Sequence, residues 1–128
     1  LVFALSFSAV LAHWNSHAEA ARLNPDPWAI ARQVERFAAL RADLQKPSAL
    51  AYLTDLPPED ERSTVLYFGT AYALAPHLVT DARGADSLEL VVGSFLRRPD
   101  LAALERERGL KLVKDYGRGV MLFRREKR

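Results

Sequence analysis

The stretch that most constrains this chain is Leu50-Ala51-Tyr52-Leu53-Thr54-Asp55-Leu56-Pro57-Pro58, with the run that follows it to Pro76. A short apolar segment ends in a Thr-Asp step, and two prolines without amide protons stop any strand pairing. Glu59, Asp60 and Glu61 then place negative charge at the positive end of a helix. This is how a β-strand hands over to an α-helix at the rim of an α/β sheet. The strand is expected over residues 50–54 and the helix over residues 59–74. Val65, Leu66, Phe68, Tyr72 and Ala73 give that helix a broad apolar face, and Gly69 is expected to let it approach the sheet closely.

The flanking segments fit the same architecture. Asp26 is positioned to cap a helix and Pro27 to open it. Ile30, Val34, Phe37 and Leu44 recur at helical spacing over residues 28–45, with Arg32, Glu35, Arg36 and Asp43 on other faces. After Pro76, residues 77–80 read as a second short strand closing on Asp81, and residues 82–87 as a loop around Arg83-Gly84. Residues 88–92 form a nearly unbroken apolar run, the pattern of a central strand covered on both faces. Residues 100–108 are a short helix stopped by Gly109. Residues 110–116 and 120–125 pair through Gly117-Arg118-Gly119, where the glycines favour a tight hairpin, and residues 126–128 are a solvated tail. The order helix, helix, strand, helix, strand, strand, helix, strand, strand predicts an α/β fold. Its small mixed sheet has about five strands, with a Rossmann-like β-α-β start, a C-terminal antiparallel hairpin and helices on its faces.

An N-terminal hydrophobic helix is expected to precede this domain, dividing the chain into residues 1–22 and 23–128. Residues 1–12 contain only Leu, Val, Phe, Ala and Ser, and no formally charged residue precedes Glu19. The apolar run opens the chain without a Met, so it reads as part of a longer segment. Three readings compete: a truncated transmembrane anchor, a signal peptide ending near Ala18-Glu19-Ala20, and a helix buried against the domain. Membrane attachment is the expectation, with His13 and Trp14 at the interface and the soluble domain on the extracytoplasmic side. The remaining composition, 49% apolar and 27% charged over 128 residues, is that of one small globular domain. Eighteen Lys and Arg against 16 Asp and Glu is too even a balance to predict nucleic-acid binding. The absence of cysteine excludes disulfides, zinc–thiolate sites and thiol nucleophiles.

Thr54 and Asp55 close the first strand, and Thr80 and Asp81 the second. In open α/β sheets ligands bind outside the carboxyl ends of strands, so these four residues are the candidate ligand-binding set, for a sugar or a cation. The competing reading gives them ordinary work, capping and turning the chain. No glycine-rich phosphate loop occurs, and Ser63 and Ser94 lack the setting of an activated nucleophile. His13 and His17 share a helix face but lack further ligands in pattern. No catalytic residue, metal or cofactor is therefore assigned. Arg97-Arg98 and the basic residues 124–128 are candidates to touch anionic lipid or a glycan phosphate, against the plainer reading of solvated charge. Tyr67, Phe68 and Tyr72 are expected to pack the helix on the sheet rather than to stack a sugar.

Three segments carry a resemblance: Ala51-Tyr52-Leu53-Thr54-Asp55, Tyr67-Phe68-Gly69-Thr70-Ala71-Tyr72-Ala73-Leu74-Ala75-Pro76, and Gly119-Val120-Met121-Leu122-Phe123. From Trp28 onward the chain resembles a soluble α/β domain found in uncharacterised bacterial membrane-anchored proteins, some of which are similar to the tails of envelope glycosyltransferases. The resemblance implies membrane tethering and a non-catalytic role, and it brings no catalytic residue. The expected function is a membrane-anchored α/β accessory domain binding a protein, a glycan or another envelope component. The alternative is the C-terminal soluble part of a membrane glycosyltransferase-type envelope enzyme.

Overall fold

A computed structural model describes residues 2–27, 29–81 and 86–126. The chain divides into two compact units, Leu1–Ile30 and Ala31–Arg128. The first contains helix α1 (Val2–Leu23). Among the described residues no helix is long and apolar enough to cross a membrane. Asp26 Oδ1 accepts from the Ile30 amide at 2.6 Å, but α2 begins only at Ile30 after Ala29 at φ 52°, so Pro27 does not open the helix as expected. Trp28, expected to begin the next helix, lies outside the described residues.

The second unit is built on a five-stranded mixed sheet. Its elements are α2 (Ile30–Asp43), β1 (Ala49–Thr54), α3 (Glu61–Leu74), β2 (Leu78–Thr80), β3 (Leu90–Ser94), α4 (Leu101–Arg108), β4 (Leu110–Gly117) and β5 (Val120–Arg125). The strand order is β2-β1-β3-β5-β4. β1 runs parallel to both β2 and β3, whereas β5 is antiparallel to β3 and β4. The α/β fold and the antiparallel hairpin at its end agree with the sequence reading.

Side-chain alternation along the strands builds two cores. Leu50, Tyr52, Val79, Val92, Val120 and Leu122 pack on one face with Phe37 and Leu40 of α2 and Ala73 and Leu74 of α3. Ala51, Val91, Met121 and Phe123 point the other way, where Phe95, Leu101 and Leu104 cover them. Phe37 and Phe123 are fully buried, and each contributes on the order of 3 kcal/mol.

Local chemistry explains most element ends. Asp60 caps α3 by accepting from the Arg62 amide, and its carboxylate also holds the Arg62 guanidinium at 2.6 Å, which keeps the acid below its usual pKa. Asp100 caps α4 through Ala103, and Gly109 ends that helix in the left-handed conformation at φ 63°. The other end of α2 is tied to β4: Asp43 accepts from Lys114 Nζ at 2.7 Å and from the Tyr116 hydroxyl at 2.9 Å. Burial, reinforced by the Asp43 carboxylate, pushes the Tyr116 phenol up to about 12.

Three local expectations are corrected. Gly69 does admit a close neighbour, but that neighbour is α2: a Cβ there would stand 3.1 Å from Cγ of Gln33. Of the aromatic stripe on α3, Tyr67 joins the core and bonds the Val79 carbonyl at 3.0 Å, while Phe68 and Tyr72 stay exposed. The central strand covers residues 90–94 rather than 88–92, because pairing to β1 and β5 carries it through Gly93-Ser94. Gly93 suits that place, since a Cβ there would lie 3.0 Å from the Phe123 ring and would displace Phe95. The loop expected around Arg83-Gly84 falls on residues 82–85, outside the described residues.

Candidate functional site

From β1 the chain departs through α3 to β2 at one edge; from β3 it departs through α4 to β4 at the opposite edge. β1 and β3 are adjacent and parallel, so their carboxyl ends flank the point where the chain changes direction across the sheet. Such a point opens a crevice between diverging loops. Thr54 and Ser94 are register partners at that point, and Asp55 and Phe95 follow them.

Asp55 spans this point. Its Oδ1 accepts from the Leu96 amide at 2.9 Å and its Oδ2 from the Arg97 amide at 3.0 Å. One carboxylate thus satisfies two donors of the β3–α4 loop and joins that loop to the end of β1. Thr54 Oγ1 accepts from the Leu56 amide at 3.3 Å and shapes its own turn. Thr80 is brought to neither: it is level with Ala51, and β1 continues to Thr54. That offset is about 10 Å along the strand direction at 3.3 Å per residue. The two Thr-Asp steps therefore do not form one site, and Asp81, exposed just past β2, belongs to a different level of the sheet. Substituting Asp55 by alanine is expected to cost about 1–2 kcal/mol in urea denaturation, with asparagine recovering part of it. No loss in the alanine variant would show that the carboxylate does not hold the loop.

The side chain that builds the crevice is Arg36, on the solvent face in the sequence reading but half-buried in the structure. Its Nε donates to the Arg118 carbonyl at 2.8 Å, and Nη1 donates to Ser94 Oγ at 3.0 Å. Nη2 donates to the Phe95 carbonyl at 3.2 Å, and Nη1 also reaches Gln33 Oε1 at 3.4 Å. A guanidinium offers donors in a rigid planar fork, which lets one side chain join α2, the end of β3 and the β4–β5 turn. Burial draws its pKa down, and the nearby Tyr52 and Asp55 oppose that.

The turn it holds has Arg118 at φ 51° and Gly119 at φ 74°, the signature of a two-residue hairpin of the mirror-image type. Asp115 Oδ1 accepts from the Gly117 amide at 2.8 Å, and the Phe95 amide donates to the Gly119 carbonyl at 2.9 Å. On β1, the buried Tyr52 hydroxyl makes no hydrogen bond of good geometry among the described residues. Burial is the main influence on it and raises its pKa, while the neighbouring Thr54 and Ser94 hydroxyls, the Arg36 charge and the Thr70 hydroxyl oppose that. Tyr52→Phe is expected to leave stability unchanged or raise it by up to about 1 kcal/mol, because it deletes an unpaired polar atom. A loss of more than about 1 kcal/mol would show that the hydroxyl is bonded in solution.

The crevice has a volume of about 840 Å³, the size of a small-molecule site. Five arginines line it, Arg32, Arg36, Arg97, Arg98 and Arg118, against two carboxylates, Glu35 and Asp115. Leu66, Phe95, Leu96 and Met121 supply an apolar wall. Arg118 is neutralised by Glu35 at 3.5 Å, and Arg36 is committed to holding the loops. Arg32, Arg97 and Arg98 form no ion pair among the described residues. Arg62, Arg106, Arg124 and Arg125 each stand within 3.8 Å of a carboxylate. Arg22, Arg41 and Arg108 outside the crevice also form no ion pair among the described residues, so it is the clustering of Arg32, Arg97 and Arg98 that marks the crevice.

Sequence reasoning pointed to Arg97-Arg98 but missed Arg32 and Arg36 as parts of a site. Their i, i+4 spacing puts both on one stripe of α2, a signal that also fits any solvated helix face. Comparison of the chain with protein-family models, with curated proteins and with solved structures gives no match.

Proposed function

We propose that this chain is a membrane-tethered, non-catalytic α/β accessory domain whose arginine-lined crevice binds an anionic component of the cell envelope. The observation that carries the reading is the excess of guanidinium groups in the crevice between α2, the β3–α4 loop and the β4–β5 hairpin. Arg32, Arg97 and Arg98 are exposed and free to meet an anion, and a crevice focuses the field toward whatever enters. The polar groups at the strand ends support a binding role over a chemical one. Asp55, Thr54 and Ser94 are occupied in holding backbone or Arg36. The uncharged, apolar character of residues 1–12 supports tethering.

Co-sedimentation of the full chain with purified envelope tests this. Binding is expected to weaken as salt rises and to fall at least about tenfold in a variant combining Arg32→Gln, Arg97→Gln and Arg98→Gln. Equal binding by this variant would contradict the site. Fractionation of tagged protein tests tethering, and recovery wholly in the soluble pool after a low-salt wash would contradict that part.

A further inference from the structure

Resting on that reading, we propose that the anionic group taken by the crevice is a phosphate ester or diphosphate rather than a carboxylate. Five guanidiniums meet two carboxylates in the lining, so roughly three positive charges await a ligand. A monocarboxylate would leave most of that charge unmet. A phosphate monoester carries between one and two negative charges at neutral pH, and a diphosphate carries more.

Geometry leads to the same class. Arg32 reaches the crevice from α2, whereas Arg97 and Arg98 reach it from the β3–α4 loop, so donors approach from two separate elements. A carboxylate presents two oxygens in one plane and is satisfied by a single fork. A phosphate presents several oxygens in a tetrahedral arrangement and accepts forks from different directions at once.

The backbone adds a further constraint. The amides of Leu96 and Arg97 would be natural partners for an anion at a strand's carboxyl end, but both already donate to Asp55. The ligand is therefore held by side chains, and the recognition depends on arginine rather than on a glycine-rich loop. Beside these charges Leu96 is 54% exposed, and with Leu66 it offers an apolar wall to the organic part of the ester. An ester with an apolar or sugar portion matches both halves of the crevice.

Calorimetric titration of the full chain tests the class with pyrophosphate, glycerol 3-phosphate and citrate. Vesicles of phosphatidylcholine with and without phosphatidate test whether the phosphate comes from a lipid headgroup. The expected result is that pyrophosphate binds at least about tenfold more tightly than citrate, and that Arg97→Gln with Arg98→Gln weakens it at least about tenfold. Both arginines are exposed, so this variant is expected to keep the urea midpoint of the parent. Phosphatidate-dependent binding that the variant loses assigns the phosphate to a lipid, and binding of glycerol 3-phosphate alone assigns it to a soluble ester; both support the inference. Citrate binding as tightly as pyrophosphate would overturn it while leaving an anion-binding crevice intact. No binding of any of these probes, or binding that the variant retains in full, would overturn the inference and the reading beneath it together.

Discussion

Replacing Gly119 with alanine is expected to destabilise the domain by about 2–5 kcal/mol, combining the left-handed backbone penalty with a steric one. The backbone holds φ 74° here, a region that a side chain disfavours. A Cβ would also collide with the carbonyl oxygen of Phe95 and stand 3.1 Å from Nη2 of Arg36. The atoms in the way are backbone at the end of a fully paired strand, so they cannot swing aside as a side-chain tip would. Gly117 supplies the control. Its φ is 78°, yet a Cβ there meets nothing within 4 Å, so Gly117→Ala is expected to cost about 1 kcal/mol from the backbone alone. The difference between the two urea midpoints isolates the clash. Equal losses would show that the turn does not press against the end of β3.

Arg36→Ala is expected to cost about 3 kcal/mol. The change removes the donors to the Arg118 and Phe95 carbonyls and leaves the fully buried Ser94 hydroxyl without its partner. These bonds share one planar group, so their loss is a single cooperative event rather than a sum. Arg36→Lys preserves the charge but replaces the fork with a point donor, and it is expected to recover less than half of the loss. Near-complete recovery by lysine would mean that charge, and not the joining of three segments, is what the position needs. A loss below about 1 kcal/mol in the alanine variant would remove Arg36 from the framework of the crevice.

The fold was largely legible in the sequence because its signals are local. The Pro57-Pro58 stop, the acidic start of α3, Gly109 and the Gly117-Arg118-Gly119 turn each act within a few residues of themselves. Strand order was not legible, since β1 pairs with both β2 and β3 through contacts distant in sequence. The same limit applied to the site. Asp55 looked like either a ligand or a turn residue, and its bonds to the Leu96 and Arg97 amides, 41 and 42 residues away, had no local signal. Arg36 looked like one more surface charge, because nothing near it in sequence announces three acceptors from β3 and the hairpin. Gly69 carried a readable signal of close approach, but its partner, Gln33, lies in another helix.

The most direct measurement is an amide-resolved NMR titration of the isotope-labelled full chain with pyrophosphate, which locates the bound anion whatever its strength. Saturable shifts are expected at Leu96, Arg97, Arg118 and Gly119 around the crevice. Gly109 and Leu110, which line a second cavity between Glu107 and Glu126, are expected to stay unmoved. Shifts confined to the second cavity, or no saturable shift anywhere, would contradict the claim that the crevice between α2, the β3–α4 loop and the β4–β5 hairpin is this domain's binding site.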